Sequence, residues 1–201
     1  DMQICLAHGY GVDKQERCKN TLASVQALLG GQSIELYVEI PLDGIGALND
    51  LLGGVTVTLL DDFTASDPTM TAGKTLTLTG QQAEILVRNR MSMAVGTNEA
   101  RMSRQRIFMD AAIPMIRERI SENSGFASEM LDSLSPYLTT NMVRGRMINE
   151  LNKAYHYDVQ PVEYLTGEHT IGDDGFVEFH AASQSAVDFV LSAFYTKRDA
   201  Q

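Results

Sequence analysis

The chain has 201 residues and a mass of 22.1 kDa, enough for one domain with a buried core. Hydrophobic residues make up 44% and charged residues 21%, which excludes a disordered or fibrous protein. The net charge of −10 opposes non-specific binding to nucleic acid or to an anionic membrane surface. No apolar run approaches the ~20 residues of a membrane-spanning helix, and no signal-peptide pattern begins at Asp1.

The period of the hydrophobic pattern changes several times along the chain, so strands and helices are predicted to alternate. In chain order, the pattern predicts a helix over 20–31, a strand over 34–40, a short helix capped by Asp43, a strand over 55–60, a short helix from Gln81 with an extended exit through Val87, a long helix over 99–121 bent at Pro114, a helix over 138–154, strands over 159–165 and 176–180, and a closing helix over 185–195. This order favours an α/β or α+β fold, and the absence of a linker or repeat favours a single domain over 1–201.

Cys5 and Cys18 lie in a polar N-terminal segment. Their spacing allows a disulfide that would constrain the unfolded chain by about 3 kcal/mol. It is equally compatible with two reduced cysteines, because the redox compartment decides which form persists.

Several short motifs have simpler structural explanations. The sequence AGKT (72–75) lacks the glycine of a phosphate-binding loop, since Pro68 occupies that position. The pairs Asp61-Asp62 and Asp173-Asp174 could bind a hard cation, but paired aspartates more often form turns. His156, His169 and His180 are scattered and are interpreted as structural.

Arginines concentrate in one stretch of this acidic chain. Between Lys19 and Arg88 the one basic residue is Lys74, whereas 81–119 holds seven arginines against four acidic residues. The arginines are Arg88, Arg90, Arg101, Arg104, Arg106, Arg117 and Arg119. A guanidinium group binds phosphate oxygens in a bidentate manner and keeps its charge, so the cluster indicates an anion site.

The spacing sharpens this hypothesis. Arg88 and Arg90, two apart on an extended segment, would project to one side. Arg101, Arg104 and Gln105 would share one helix face, near a helix N-terminus that also favours negative charge. The alternative is that the arginines form surface ion pairs, each contributing under ~1 kcal/mol.

The residues carrying this cluster resemble the LytR–CpsA–Psr family of bacterial cell-envelope enzymes. The matching segments are YVEIPLDGIGALNDLLGGVTVTLLDDF (37–63), LTGQQAEILVRNR (78–90), RMSRQR (101–106) and HTIGDDGFVEFH (169–180). In the family, the run from a GGV strand through V-R-x-R to R-x-x-R-Q is distinctive. The resemblance covers the chain from about Gln3 to Tyr195.

The resemblance implies a phosphotransferase that moves an anionic glycopolymer, such as teichoic acid or a capsule-like polysaccharide, from an undecaprenyl-pyrophosphate carrier to peptidoglycan, with a possible pyrophosphatase side activity. It implies a central mixed β-sheet covered by helices on both faces, and Mg²⁺ as cofactor. Carried over by motif, Arg90, Arg101 and Gln105 are the expected catalytic residues. The expected pyrophosphate-binding residues are Arg88, Arg90, Arg101, Arg104 and Gln105. The carrier's lipid tail also requires an apolar groove, for which Met91, Met93, Met102 and Met109 are candidate lining residues.

The chain also departs from the family pattern. The family's N-terminal membrane helix, its first strands with metal-binding aspartates and its R-D-T motif have no counterpart in this sequence, so the metal ligands and the proton acceptor stay unidentified. We expect the chain to be a fragment of a protein that reaches the membrane through such a segment. The implied location on the extracytoplasmic face of the cell membrane favours the Cys5–Cys18 disulfide.

Two other functions fit the same residues. A non-catalytic module could bind lipid-linked pyrophosphate without turnover and would show no metal-dependent activity. A nucleic-acid-binding regulator is a further alternative, but the net charge of −10 and the lack of a helix-turn-helix pattern argue against nucleic acid as a partner.

Overall fold

A computed structural model of the chain has a mixed α/β fold, as predicted. The structure describes residues 4–89, 98–154, 156–157, 165–173, 175 and 177–195. Contacts divide the chain into two compact units, Val38–Tyr157 and Asp1–Tyr37 with Asp158–Gln201. The single domain over 1–201 stays a prediction, and each unit is described by itself.

Helices make up most of the described structure. They are α1 (Ile4–Ala7), α2 (Lys14–Leu28), α3 (Asp43–Leu51), α4 (Gly80–Arg88), α5 (Asn98–Glu122), α6 (Phe126–Leu134), α7 (Arg144–Ala154) and α8 (Ser183–Val190). A 3₁₀ turn at His8–Tyr10 and a π-helical turn at Leu191–Tyr195 follow α1 and α8. The strands are β1 (Val38–Glu39), β2 (Thr56–Thr58), β3 (Thr75–Thr77), β4 (Thr139–Thr140), β5 (Gly167–Ile171) and β6 (Val177–Ala181). None of the described helices has the length and hydropathy needed to cross a membrane.

The described strands pair two by two, in antiparallel fashion: β1 with β4, β2 with β3, and β5 with β6. The one central mixed sheet that the family resemblance implies is therefore not formed by the described residues. The reason lies in the strands themselves, as β2 shows. It has three residues, of which Val57 points to the core while Thr56 and Thr58 are exposed and hydrogen-bond to Thr77 and Thr75. Two such short strands with one buried face, β2 and β3, form a two-stranded ribbon that packs against helices.

The core of Val38–Tyr157 lies between this ribbon and helices α3 to α6. Leu52, Val55, Leu59, Phe63 and Phe108 are almost fully buried there. The long helix α5 continues past Pro114, and its extent agrees with the helix predicted over 99–121. Its residues Phe108 and Ala112, four apart, put one apolar face into the core.

A buried amide joins α3 to the ribbon. Asn49 is completely buried, and its Oδ1 accepts a hydrogen bond of 2.9 Å from the backbone N–H of Val55. Its Nδ2 donates one of 2.8 Å to the carbonyl oxygen of Leu78. One side chain therefore satisfies two backbone groups at the points where the chain enters β2 and leaves β3.

Glycines let α3 and α4 approach closely. A Cβ atom on Gly46 would lie 3.1 Å from the carbonyl oxygen of Gly80, and one on Gly80 would lie 2.9 Å from that of Gly46. Both distances are shorter than ordinary van der Waals contact, so the backbones touch where side chains would otherwise separate them.

The first turn of α4 is closed by a capping box. Thr79 Oγ1 accepts from the N–H of Gln82 at 3.3 Å, and Gln82 Oε1 accepts from the N–H of Thr79 at 3.1 Å. We expect Thr79→Ala to lower the free energy of unfolding by about 1 kcal/mol, measured by urea denaturation, because an orphan helix N–H loses its acceptor. Thr71→Ala, at an exposed threonine outside any helix, is the control. Equal losses in the two variants would contradict the role of the cap.

Two predicted features of this unit are wrong in detail. Asp43 does not cap α3: it is the first helical residue, and Leu42 takes the cap position without a side-chain hydrogen bond. The helix predicted over 138–154 begins at Arg144, because Thr139 and Thr140 pair with β1 instead.

The unit Asp1–Tyr37 with Asp158–Gln201 contains α2, capped by Asp13, and the β5–β6 hairpin. An apolar cavity of about 500 Å³ lies between the end of α2 and α8, lined by residues such as Leu29, Ala186 and Val190. Cys18 is buried on α2. The side chain of Cys5 lies outside what the structure describes, so the Cys5–Cys18 disulfide stays a prediction. Most of the strand predicted over 159–165 lies outside it as well.

Candidate anion-binding site

Arg88 is the last residue of α4, not part of an extended segment as predicted. The helix continues to this point because Ala83, Leu86 and Val87 are buried at helical spacing. The guanidinium group of Arg88 pairs with the carboxylate of Asp43 at the start of α3, and both side chains are largely exposed. An exposed ion pair contributes little to stability, so Arg88 can exchange this partner for another anion.

Arg101, Arg104 and Gln105 lie on α5, and their i, i+3, i+4 spacing puts them on one helix face, as predicted. That face is directed at the C-terminal end of α4. Nη2 of Arg104 donates a hydrogen bond of 2.8 Å to the carbonyl oxygen of Asn89. Nε2 of Gln105 donates one of 3.3 Å to the carbonyl oxygen of Val87.

These two contacts fix α5 against the end of α4. The last carbonyls of a helix have no partner within it, and Arg104 and Gln105 satisfy two of them. A cationic side chain is also favoured at this end of the helix dipole. Arg88 on α4 and Arg101 on α5 therefore lie within one helical turn of the contacts that join the two helices.

Arg104 does not lie on the surface of the site. Its residue is 1% exposed, and Nη1 forms an ion pair of 2.9 Å with Oδ2 of Asp61. Its guanidinium carbon lies 6.0 Å from the centre of the Phe63 ring. Because the residue is almost fully buried, Arg104 offers no accessible N–H group to a pyrophosphate, contrary to the expectation from the sequence.

Some expected site residues cannot be placed. Arg90, Met91 and Met93 lie outside the described residues. Met102 and Met109 on α5 are partly exposed, at 42% and 39%. The apolar groove for a lipid tail stays a prediction.

Hydrogen bonds lower the pKa of two carboxyl groups in the loop between β2 and β3. Thr64 donates through its hydroxyl and its N–H to Asp62, which lowers the pKa of Asp62. Thr69 does the same for Asp67, to which Gln82 also donates, and these bonds lower the pKa of Asp67. Both groups are ionised at neutral pH and hold the loop in shape.

The depressed pKa of Asp67 predicts a pH dependence of stability. Because the pKa of Asp67 in the folded chain is below its ordinary value of 3.8, its contribution to stability is present above that pH and is lost as the pH falls through the folded pKa. We expect Asp67→Asn to lower the urea midpoint at pH 7 and the difference from the unchanged chain to shrink at pH 3. Asp188→Asn, in α8, is the control. A difference that does not depend on pH would contradict this interpretation.

The carboxylates near the arginines do not form a protein cage for a metal ion. Asp43 is engaged by Arg88 and Asp61 by Arg104. A cleft of about 320 Å³ between α3 and α4 is lined by Asp43, Asp50 and Glu84. Within the described part of Val38–Tyr157, however, no three such side chains bring ligand atoms within 4.8 Å of one another. The Mg²⁺ that the family resemblance implies therefore stays a prediction.

Sequence reasoning missed the residues that hold the site together. Asp61 was interpreted as a turn former, and neither Phe63 nor Asn89 was singled out. Asn89 is fixed three times: its carbonyl accepts from Arg104, its N–H donates to Ile85 and its Nδ2 donates to Ser66. The only available signal was an acidic pair directly before a buried aromatic residue in an arginine-rich chain.

Comparisons with known proteins extend this picture. The model of the LytR_cpsA_psr family matches residues 9–189. A Streptococcus agalactiae protein, gbs0355, has a similar structure, with a TM-score of 0.76, 20% identity, and coverage of 98% of this chain and 68% of the other. TagV of B. subtilis gives a TM-score of 0.69 at 18% identity, covering 95% and 74% of the two chains. A structure of TagT bound to LI-WTA gives 0.68 at 20% identity, covering 94% and 69%. No curated protein matches the chain.

Proposed function

Since this chain belongs to the LytR–CpsA–Psr family of cell-wall glycopolymer transferases, we propose that it moves an anionic glycopolymer from an undecaprenyl-pyrophosphate carrier to peptidoglycan. Release of phosphate from the same carrier would be a side activity. The proposed location is the extracytoplasmic face of the cell membrane, where both carrier and acceptor are accessible. The proposal gains support from TagT, whose structure was determined bound to LI-WTA.

The observation that carries the proposal is the junction of α4 and α5. Arg104 and Gln105 bind the terminal carbonyls of α4, so Arg88 and Arg101 lie on directly connected helix ends. Phosphoryl transfer depends mainly on positioning and on neutralising the charge of the non-bridging oxygens. A pair of helix ends carrying several guanidinium groups meets both requirements.

Each proposed residue has a defined task. Arg90 and Arg101 hold the pyrophosphate, and Arg88 adds charge after leaving Asp43. Gln105 already donates its amide nitrogen to Val87, which orients the amide so that its oxygen can position a hydroxyl group. The acceptor hydroxyl then forms a bond to the glycan-side phosphorus, and the bond from that phosphorus to the carrier's bridging oxygen breaks. The hydroxyl proton passes to the departing phosphate, and polyprenyl monophosphate leaves. Mg²⁺, if bound at the site as the family resemblance implies, would supply further charge neutralisation.

A transfer assay tests this proposal. The chain is incubated with a polyprenyl-diphosphate-linked glycan and a peptidoglycan fragment, with and without Mg²⁺, and both transfer and phosphate release are followed. Magnesium-dependent transfer is the expected result. Tight binding without turnover would replace the transferase with a non-catalytic binding module. Salt-dependent binding to duplex DNA in place of either would favour the regulator.

A further inference from the structure

We infer that Arg104 and Asp61 form a positioning pair, which fixes the backbone at Asn89 and so positions Arg88, at the end of α4, for contact with the pyrophosphate. This inference rests on the proposed function and adds two residues to it. Neither residue would touch the substrate. They would act through the carbonyl oxygen of Asn89, the residue that directly follows Arg88.

The geometry places Arg104 between three groups of different origin. Its guanidinium group binds Oδ2 of Asp61 at 2.9 Å and the carbonyl oxygen of Asn89 at 2.8 Å. The guanidinium carbon lies over the Phe63 ring, 6.0 Å from the ring centre. The loop after β2, the end of α4 and the helix α5 therefore meet at one planar cation, and a planar fork holds both acceptors at a fixed angle.

The burial of this cation argues for a role beyond stability. The Arg104 side chain is 2% exposed, whereas that of Asp61 is 29% exposed. Nε of Arg104 has no hydrogen-bond partner among the described residues. A buried ion pair is often no better for stability than apolar residues of the same volume, and an unsatisfied donor makes it worse. What the pair provides is a unique position for the Asn89 carbonyl.

A simple electrostatic role for Asp61 makes the opposite prediction from a positioning role. As a bare negative charge beside an anion site, Asp61 would repel pyrophosphate, so Asp61→Asn would tighten binding. As the partner that orients Arg104, its loss would weaken binding although the chain becomes more positive. The sign of the effect separates the two roles.

The test measures binding of farnesyl diphosphate and of inorganic pyrophosphate by calorimetry, for Arg104→Lys and Asp61→Asn. Lysine keeps the charge but loses the fork. We expect each variant to bind both ligands roughly tenfold more weakly. A substitution far from the ligand has a large effect when it shifts a ligand-binding group by about 1 Å. Hydrogen exchange at the amides of 85–89 should become faster in both variants. Urea denaturation gives the folded fraction of each variant, to which the affinity is referred.

Arg119→Lys is the matched control. Arg119 lies on the same helix, donates to the carbonyl oxygen of Leu52 at 3.3 Å and lies 6.0 Å from the Phe126 ring, so its contacts are of the same kind. Its affinity should stay within about twofold of the unchanged chain. Tighter binding by Asp61→Asn, or unchanged affinity of the folded fraction in both variants, would overturn the inference. Absence of binding by the unchanged chain would instead overturn the proposed function, and the inference with it.

Discussion

Arg101→Ala is expected to lower kcat/KM for glycan transfer by about a hundredfold, because removing one charged contact to a phosphoryl transition state costs about 2–4 kcal/mol. Arg101 lies one turn before Arg104 and Gln105, which dock α5 on the end of α4. Its loss removes charge from the site and leaves those docking contacts in place. The measurement is the rate of transfer and of phosphate release from the polyprenyl-diphosphate-linked glycan.

Arg106→Ala controls for the loss of an arginine from the same helix. Arg106 forms an exposed ion pair with Asp110 at 3.1 Å, one helical turn further along α5. Its removal should change the rate less than twofold and stability by under ~1 kcal/mol. Equal turnover in the Arg101→Ala variant and the unchanged chain would remove Arg101 from the proposed catalytic residues.

Asn49→Ala is expected to lower the free energy of unfolding by about 3 kcal/mol, because two buried backbone groups each lose a hydrogen-bond partner. A buried polar group without a partner costs about 1–3 kcal/mol. The groups are the N–H of Val55 and the carbonyl oxygen of Leu78. Asn49 is completely buried, so its amide binds these groups away from bulk solvent. Urea denaturation at neutral pH measures the loss.

Asn123→Ala provides the comparison. Asn123 accepts one hydrogen bond of 2.9 Å from the N–H of Gly125 at an exposed turn, where water can replace it. Its loss should be about 1 kcal/mol or less. A loss in Asn49→Ala as small as that of Asn123→Ala would show that the buried amide does not join α3 to the ribbon as its contacts indicate.

Local rules predicted much of the fold from the sequence. A glycine pair is a typical helix stop, and Gly53 and Gly54 directly after the end of α3 have positive φ, 83° and 97°, which favours glycine. The 3.6-residue period predicted α5 almost to its observed ends, Asn98 and Glu122. Both features depend on residues close in sequence, so the sequence carries them directly.

Tertiary contacts decided what the local rules missed. Asp43 has the chemistry of a helix cap, but its carboxylate binds Arg88, far away in sequence. The same holds for the site. Helical spacing correctly placed Arg101, Arg104 and Gln105 on one face, yet it could not show which arginine is buried. That choice depends on Asp61 and Phe63, which the fold brings to Arg104 from another segment.

The crossing of α3 and α4 limits how the arginine end of α4 can respond to a ligand. With Gly46 and Gly80 in backbone contact, the two helices cannot move closer together at that crossing. We therefore expect a ligand beside Arg88 to be accommodated by the rotamers of that side chain and not by tighter packing of α4 on α3. Helix α4 is held at its first residue, Gly80, and Arg88 lies at its other end.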